Sequence, residues 1–113
     1  MSIVEILKIL AALATAATGV FVLVAPRKTV GFTGLEPIGG RGISELRAVF
    51  GGLFIALGLT PLWLGTPAFL MLGVGYLAIA AVRAVSIVFD RSAIPSNLIS
   101  LATEIVLGAI LVL

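Results

Sequence analysis

Cysteine and histidine are both absent from this 113-residue chain. Their absence excludes a disulfide, a thiol relay, a thiolate metal site and an imidazole base. Charge is scarce as well: 11% of residues are Asp, Glu, Lys or Arg, 61% are hydrophobic, and the mean hydropathy is +1.32. Soluble domains carry about a quarter charged residues, and a domain this small has too little interior to hide so much apolar surface from water. The composition therefore predicts an integral membrane protein, with no metal and no cofactor expected. The net charge of +2 and pI near 9.7 could suggest nucleic acid. In a membrane chain, however, basic residues mark the cytoplasmic side, and no folded soluble segment is present to grip a duplex. No nucleic-acid partner is expected.

What is present in abundance is long uncharged sequence. Eighteen uncharged residues separate Lys8 from Arg27, enough for a spanning helix whose flanks snorkel. Ala14-Thr15-Ala16 resembles a signal-peptide cleavage site. The apolar run nevertheless continues through Phe21-Val22-Leu23-Val24, and Glu5 accompanies Lys8 ahead of it. We therefore expect a retained first helix, closed by Pro26. The stretch "PRKTVGFTGLEPIGGRG" (26–42) has two prolines, five glycines and four charges, which is loop chemistry. From Ala48 to Val82 there is no charge for 35 residues. A single helix of that length would run about 50 Å and overshoot a hydrocarbon core of ~30 Å. "TPLWLGTP" (60–67) breaks it with two prolines, a glycine and a tryptophan suited to an interface. Asp90-Arg91-Ser92 and Pro95 make the next turn.

The expected fold is all-α: one domain, an up-down four-helix membrane bundle with helices near 3–25, 44–62, 67–89 and 96–113 and a loop over 26–43. Alternation of direction puts Arg27, Lys28, Arg41, Arg47, Arg83 and Arg91 toward one side and only Lys8 toward the other. By the positive-inside rule that side is cytoplasmic, with both termini outside.

Four charges fall below the cytoplasmic membrane surface in this arrangement: Glu45, Arg47, Arg83 and Glu104. Arg83 is roughly 10 Å before Asp90 along its helix, and Glu104 roughly 9 Å in from the same side. An unpaired charge in hydrocarbon costs at least ~2.5–3.5 kcal/mol on insertion scales, so pairing is expected: Glu104 with Arg83, and Glu45 with Arg83 or Arg47. At 100° per residue, Tyr76, Arg83, Ser86 and Asp90 share one stripe of the third helix. Asn97, Ser100 and Glu104 share one of the fourth. In the second helix Glu45 lies on a face with Ala48, Gly52 and Ala56, whereas Arg47 points almost opposite, with Gly51 and Gly58. Ser44 as N-cap would place Glu45 favourably at the positive end of the helix dipole. Small residues on the first two helices (Ala11, Ala12, Thr15 and Gly19; Ala48, Gly51, Gly52 and Ala56) permit close approach.

"SELRAVFGGLFIALGL", followed by an intramembrane Arg83, the Asp90-Arg91 turn and a late Glu104, resembles the small bacterial four-helix membrane proteins of domain-of-unknown-function family 4345. The likeness covers nearly the whole chain, and its most distinctive parts are Glu45-x-Arg47 with Gly51-Gly52, then Arg83, Asp90 and Glu104. A looser similarity to DoxX-type four-helix proteins points the same way. The resemblance implies the architecture, a bacterial inner-membrane location and the choice of site residues. It implies no activity.

The ionic cluster can be read as a structural clasp or as a site for a polar ligand, head group or proton. Enzyme signals fail on context. Gly73-x-Gly75-x-x-Ala78 lies inside a spanning helix with no preceding strand, and Ser44 lacks a nucleophile-elbow frame because Leu46 occupies the last glycine's place. Trp63 and Tyr76 read as interface anchor and bundle core, and Arg27, Lys28 and Arg41 as topogenic or lipid-holding charge. The expectation is a non-catalytic binding or accessory protein that engages a partner protein, lipid or amphipathic ligand, alone or in a homo-oligomer or larger complex. The alternative is a proton-coupled small-molecule transporter acting as an oligomer.

Overall fold

The computed structural model describes all 113 residues, and every regular element is helical. The first helix, α1, spans Ile3–Val24, with Ser2 accepting a hydrogen bond from the Glu5 backbone N–H at 3.1 Å as its N-cap. Pro26 ends it, and a 3₁₀ turn at Pro26–Thr29 leads into a one-turn helix, α2, at Val30–Thr33. Gly34, at φ 73, closes that turn in the left-handed region glycine tolerates. Three long helices follow: α3 (Gly39–Leu64), α4 (Thr66–Phe89) and α5 (Pro95–Val112). With α1, these make four helices long and apolar enough to cross a membrane. Only 18 of 113 residues are buried, and the surface carries Val82, Val88 and Phe89 at 71–81% exposure, so the outside of the molecule is itself apolar.

Two expected boundaries need correction. The loop predicted over 26–43 is partly helical, and α3 starts at Gly39 rather than at a Ser44 cap. Its N-cap is Ile38, which contributes no side-chain bond. At its other end α3 runs to Leu64 rather than 62, with Pro61 absorbed in its last turn. Gly65 alone, at φ 72, then separates α3 from α4. At the other end Arg91, at φ 49, turns the chain between α4 and α5, and the Ser92 N–H reaches back to the Ile87 carbonyl at 3.1 Å.

The long helices pack as two tight pairs, α1 with α3 and α4 with α5, and α1 also rests on α5. Glycines set the closeness. A Cβ on Gly58 would lie 2.5 Å from both the Ala12 carbonyl and the Ala16 nitrogen, and one on Gly19 would lie 2.7 Å from the Gly51 carbonyl. The face of α3 that meets α1 is therefore the Gly51–Gly58 face. The alternative face is not used: Ala48, Gly52 and Ala56 are exposed. Leu46–Leu53 is π-helical, with i→i+5 bonding, so Leu46 is buried with Gly51 while Arg47, which a wheel at 100° per residue sets beside Gly51, is exposed. In the other pair, Gly73 packs on Leu111 and Val112, and Gly108 on Leu77, which gives Gly73 a packing role.

Substituting the two glycine faces separates these alternatives. Gly58→Leu forces backbone apart and should destabilise by about 1–3 kcal/mol or more. Gly52→Ala meets nothing nearer than 3.9 Å and should change stability by under about 1 kcal/mol. Thermal unfolding in mild detergent measures both; equal effects would refute this assignment of the α3 face.

Candidate functional site

The polar centre is built by α4 and α5. Arg83 faces Glu104 in a bidentate pair: Nε donates to Oε1 and Nη2 to Oε2, both at 2.7 Å. The remaining terminal nitrogen, Nη1, donates to Asn97 Oδ1 at 2.8 Å, and the Asn97 amide donates in turn to the Ser92 carbonyl and hydroxyl. Planar guanidinium and carboxylate match two bonds at once, the geometry that gives Arg pairs their strength. Glu104 is 8% exposed, so a neutralising partner is needed. The expected Arg83–Glu104 pairing is found, and Asn97 extends it to the turn.

The rest of the expected cluster lies elsewhere. Glu45 pairs with Arg41 at 2.6 Å, one helical turn earlier, with side chains 57% and 78% exposed. Because α3 begins at Gly39, Arg41 lies inside the helix at i−4, and Glu45 finds its cation locally. Arg47 belongs to neither ion pair; it is exposed and borders an open outer groove with Leu23 and Gly40. The four-charge cluster is thus a two-charge centre plus a separate surface pair. Among the other polar residues, Ser86 donates to Asp90 at 2.6 Å, one turn along an exposed stripe. Ser100 is half-buried one turn before Glu104 and lies outside the Arg83 network. Tyr76 hydrogen-bonds Thr15 of α1. Since Thr15 gives its one hydroxyl proton to the Ala11 carbonyl at 2.9 Å, the tyrosine is the donor.

Beside the ion pair lies a cavity of about 640 Å³. It exists because the two helix pairs diverge: α3 packs on α4 chiefly along its last turns, Phe54 to Leu64. From there Leu46, Phe50 and Phe54 of α3 form one wall, and Tyr76, Ile79 and Arg83 of α4 the opposite one. The first set is spaced by four residues and the second by three and four, the spacings of a single helix face. Thr18, Phe21 and Val22 of α1 and Glu104 of α5 complete the sides. Lys28, Thr29, Phe32 and Thr33 cover the wide end, where α2 crosses to touch α5. A second, apolar pocket of about 100 Å³ shares Phe54, Tyr76 and Ile79 with the cavity and continues to Leu57, Met71 and Leu72. No group of three acidic residues gathers at which a metal ion could be held.

Sequence reasoning missed this cavity, its Phe50 and Phe54 walls and its Lys28–Thr33 cover. The available signals were the i, i+4 spacing of the two phenylalanines, whose rings lie 5.8 Å apart, and a Thr-Phe-Thr pattern inside a stretch taken as loop. Comparison with family models, with curated proteins and with solved structures yields no match for this chain.

Removing one member of the central pair strands a charge. Glu104→Ala should destabilise by about 3 kcal/mol, whereas Glu45→Ala removes an exposed i, i+4 pair worth under about 0.5 kcal/mol. Unfolding by SDS titration of the detergent-solubilised protein compares them. Similar losses would contradict the division into centre and surface.

Proposed function

We propose that the chain spans the bacterial inner membrane as an up-down four-helix bundle with both termini outside the cytoplasm. Its function in this reading is to bind an amphipathic molecule between the two helix pairs, without catalysis of its own. The observation that carries the proposal is the cavity beside Arg83 and Glu104. A pure clasp would close around its ion pair. Here the pair is made and a void of ligand size still adjoins it, polar at the Lys28–Thr33 end and apolar toward Leu57 and Leu72. That gradient is the chemistry of a molecule with a head and a tail. The family suggested by "SELRAVFGGLFIALGL" is compatible with the architecture and adds no ligand. Proton-coupled transport has less support, because both Glu104 oxygens are held by Arg83. Complex formation would leave the cavity in place, so an accessory role and ligand binding are compatible.

Two experiments test this reading. Native mass spectrometry of the protein extracted from membranes should show one retained amphipath. Thr18→Trp, which fills the cavity from α1, should abolish retention while shifting the unfolding temperature by only a few degrees. Absence of any retained or titratable amphipath on the stable wild-type protein would defeat the binding proposal. For topology, the cysteine-free chain is an ideal background. Glu36→Cys should react with a membrane-impermeant maleimide only after the membrane is opened, and Ser2→Cys should react from the periplasmic side. The reverse pattern would invert the orientation.

A further inference from the structure

The donor inventory of the cavity identifies the charge of its ligand's head. Hydroxyl groups line it on four elements, yet their protons are committed within the protein. Thr18 donates to the Ala14 carbonyl, Thr29 to that of Pro26 and Thr33 to that of Thr29, while Tyr76 is bound to Thr15. Two cationic groups retain donors. Arg83 has five N–H bonds and uses three, leaving one on each terminal nitrogen. Lys28 enters neither ion pair of the molecule, so its three N–H bonds face no carboxylate. The single acidic group in the lining, Glu104, already has both oxygens bound to Arg83. Lys28 and Arg83 against Glu104 leave the lining with one net positive charge.

We propose that the cavity selects a single-chain amphipath with a monoanionic head, held between Lys28 and Arg83. The proposal rests on the reading that the cavity holds an amphipath, and adds the sign and count of its charge. An acceptor-only head matches two groups that can only donate, and one negative charge neutralises the lining. A cationic head would meet Lys28 with no free carboxylate to offset it. A neutral alcohol would leave the net positive charge of the lining without a counter-charge. The tail runs from the Phe50 and Phe54 wall past Tyr76 into the pocket of Leu57, Met71 and Leu72. A volume of this order suits one small ligand, hence one chain rather than two. A long-chain carboxylate and a lysophospholipid phosphodiester both satisfy this chemistry.

The test is a titration of the full-length protein in neutral maltoside detergent at pH 9, read by thermal shift and by equilibrium dialysis. The probes are palmitate, palmitoyl-lysophosphatidylglycerol, zwitterionic palmitoyl-lysophosphatidylcholine, hexadecanol and hexadecylamine. At least one of the two monoanions should bind tenfold or more tighter than the three other probes, and which one does so identifies the source of the head. Lys28→Gln should reduce the preference about fivefold, and Lys28→Glu should abolish it. Lys28 is exposed and unpaired, so both variants should fold, with unfolding temperatures close to wild type. If hexadecanol or the zwitterion binds as tightly as the monoanions, the charge inference fails and amphipath binding stands. Preference for the amine also overturns it, as does a monoanion preference that survives Lys28→Glu. If none of the five probes binds, the binding reading itself falls.

Discussion

The two-point bond between Arg83 and Glu104 is the constraint around which the molecule is arranged. It neutralises the one well-buried carboxylate, fixes α4 against α5 near the Asp90–Ile94 turn and, through Asn97 and Ser92, secures that turn as well. The far end of the same helix pair needs no polar contact, since Gly73 and Gly108 let the backbones meet there. With α4 and α5 joined at both ends, the α1–α3 pair is left to make its own contact through Gly19, Gly51 and Gly58. Each pair is internally complete. The space between them is therefore filled only in part, by the Tyr76–Thr15 bond and by α1 on α5.

This division explains why a satisfied ion pair and a cavity can coexist. Charge pairing and space filling are usually solved together in a packed core. Here they are solved by different helices. Arg83 and Glu104 answer the electrostatic demand within one pair, while the walls from Leu46, Phe50 and Phe54 belong to the other. Nothing in the pairing chemistry draws α3 closer. The reading of the site as a ligand chamber follows from that independence more than from the presence of charge.

How much of this is legible in the sequence varies with the range of the determining interaction. The four apolar runs, the turns at 60–67 and 90–95 and the Arg83–Glu104 pair follow from hydropathy, proline and glycine punctuation and helical depth, all local or one-dimensional quantities. Depth and its wheel face point Glu45 toward the centre; the glycines of 39–42 instead begin α3 and bring Arg41 within one turn of it. The wheel separates two small-residue faces of α3, Ala48-Gly52-Ala56 and Gly51-Gly58, and only the tertiary contact with α1 selects the second. The cavity was not legible at all. It depends on the divergence of two helix pairs and on a short cover from another part of the chain, and neither leaves a periodic trace.

The path of residues 26–35 has a consequence for how the molecule comes into being. This segment follows directly on α1 yet comes to rest against α5. Its neighbours in the cavity include Glu104 of α5, far along the chain from it. The chamber therefore cannot exist on a nascent chain. While α1 and α3 can associate as soon as both have emerged, Arg83 waits for its carboxylate and the cover waits for its support until α5 arrives. Completion of the polar centre and enclosure of the chamber thus coincide in time, with α5 acting as their closing element.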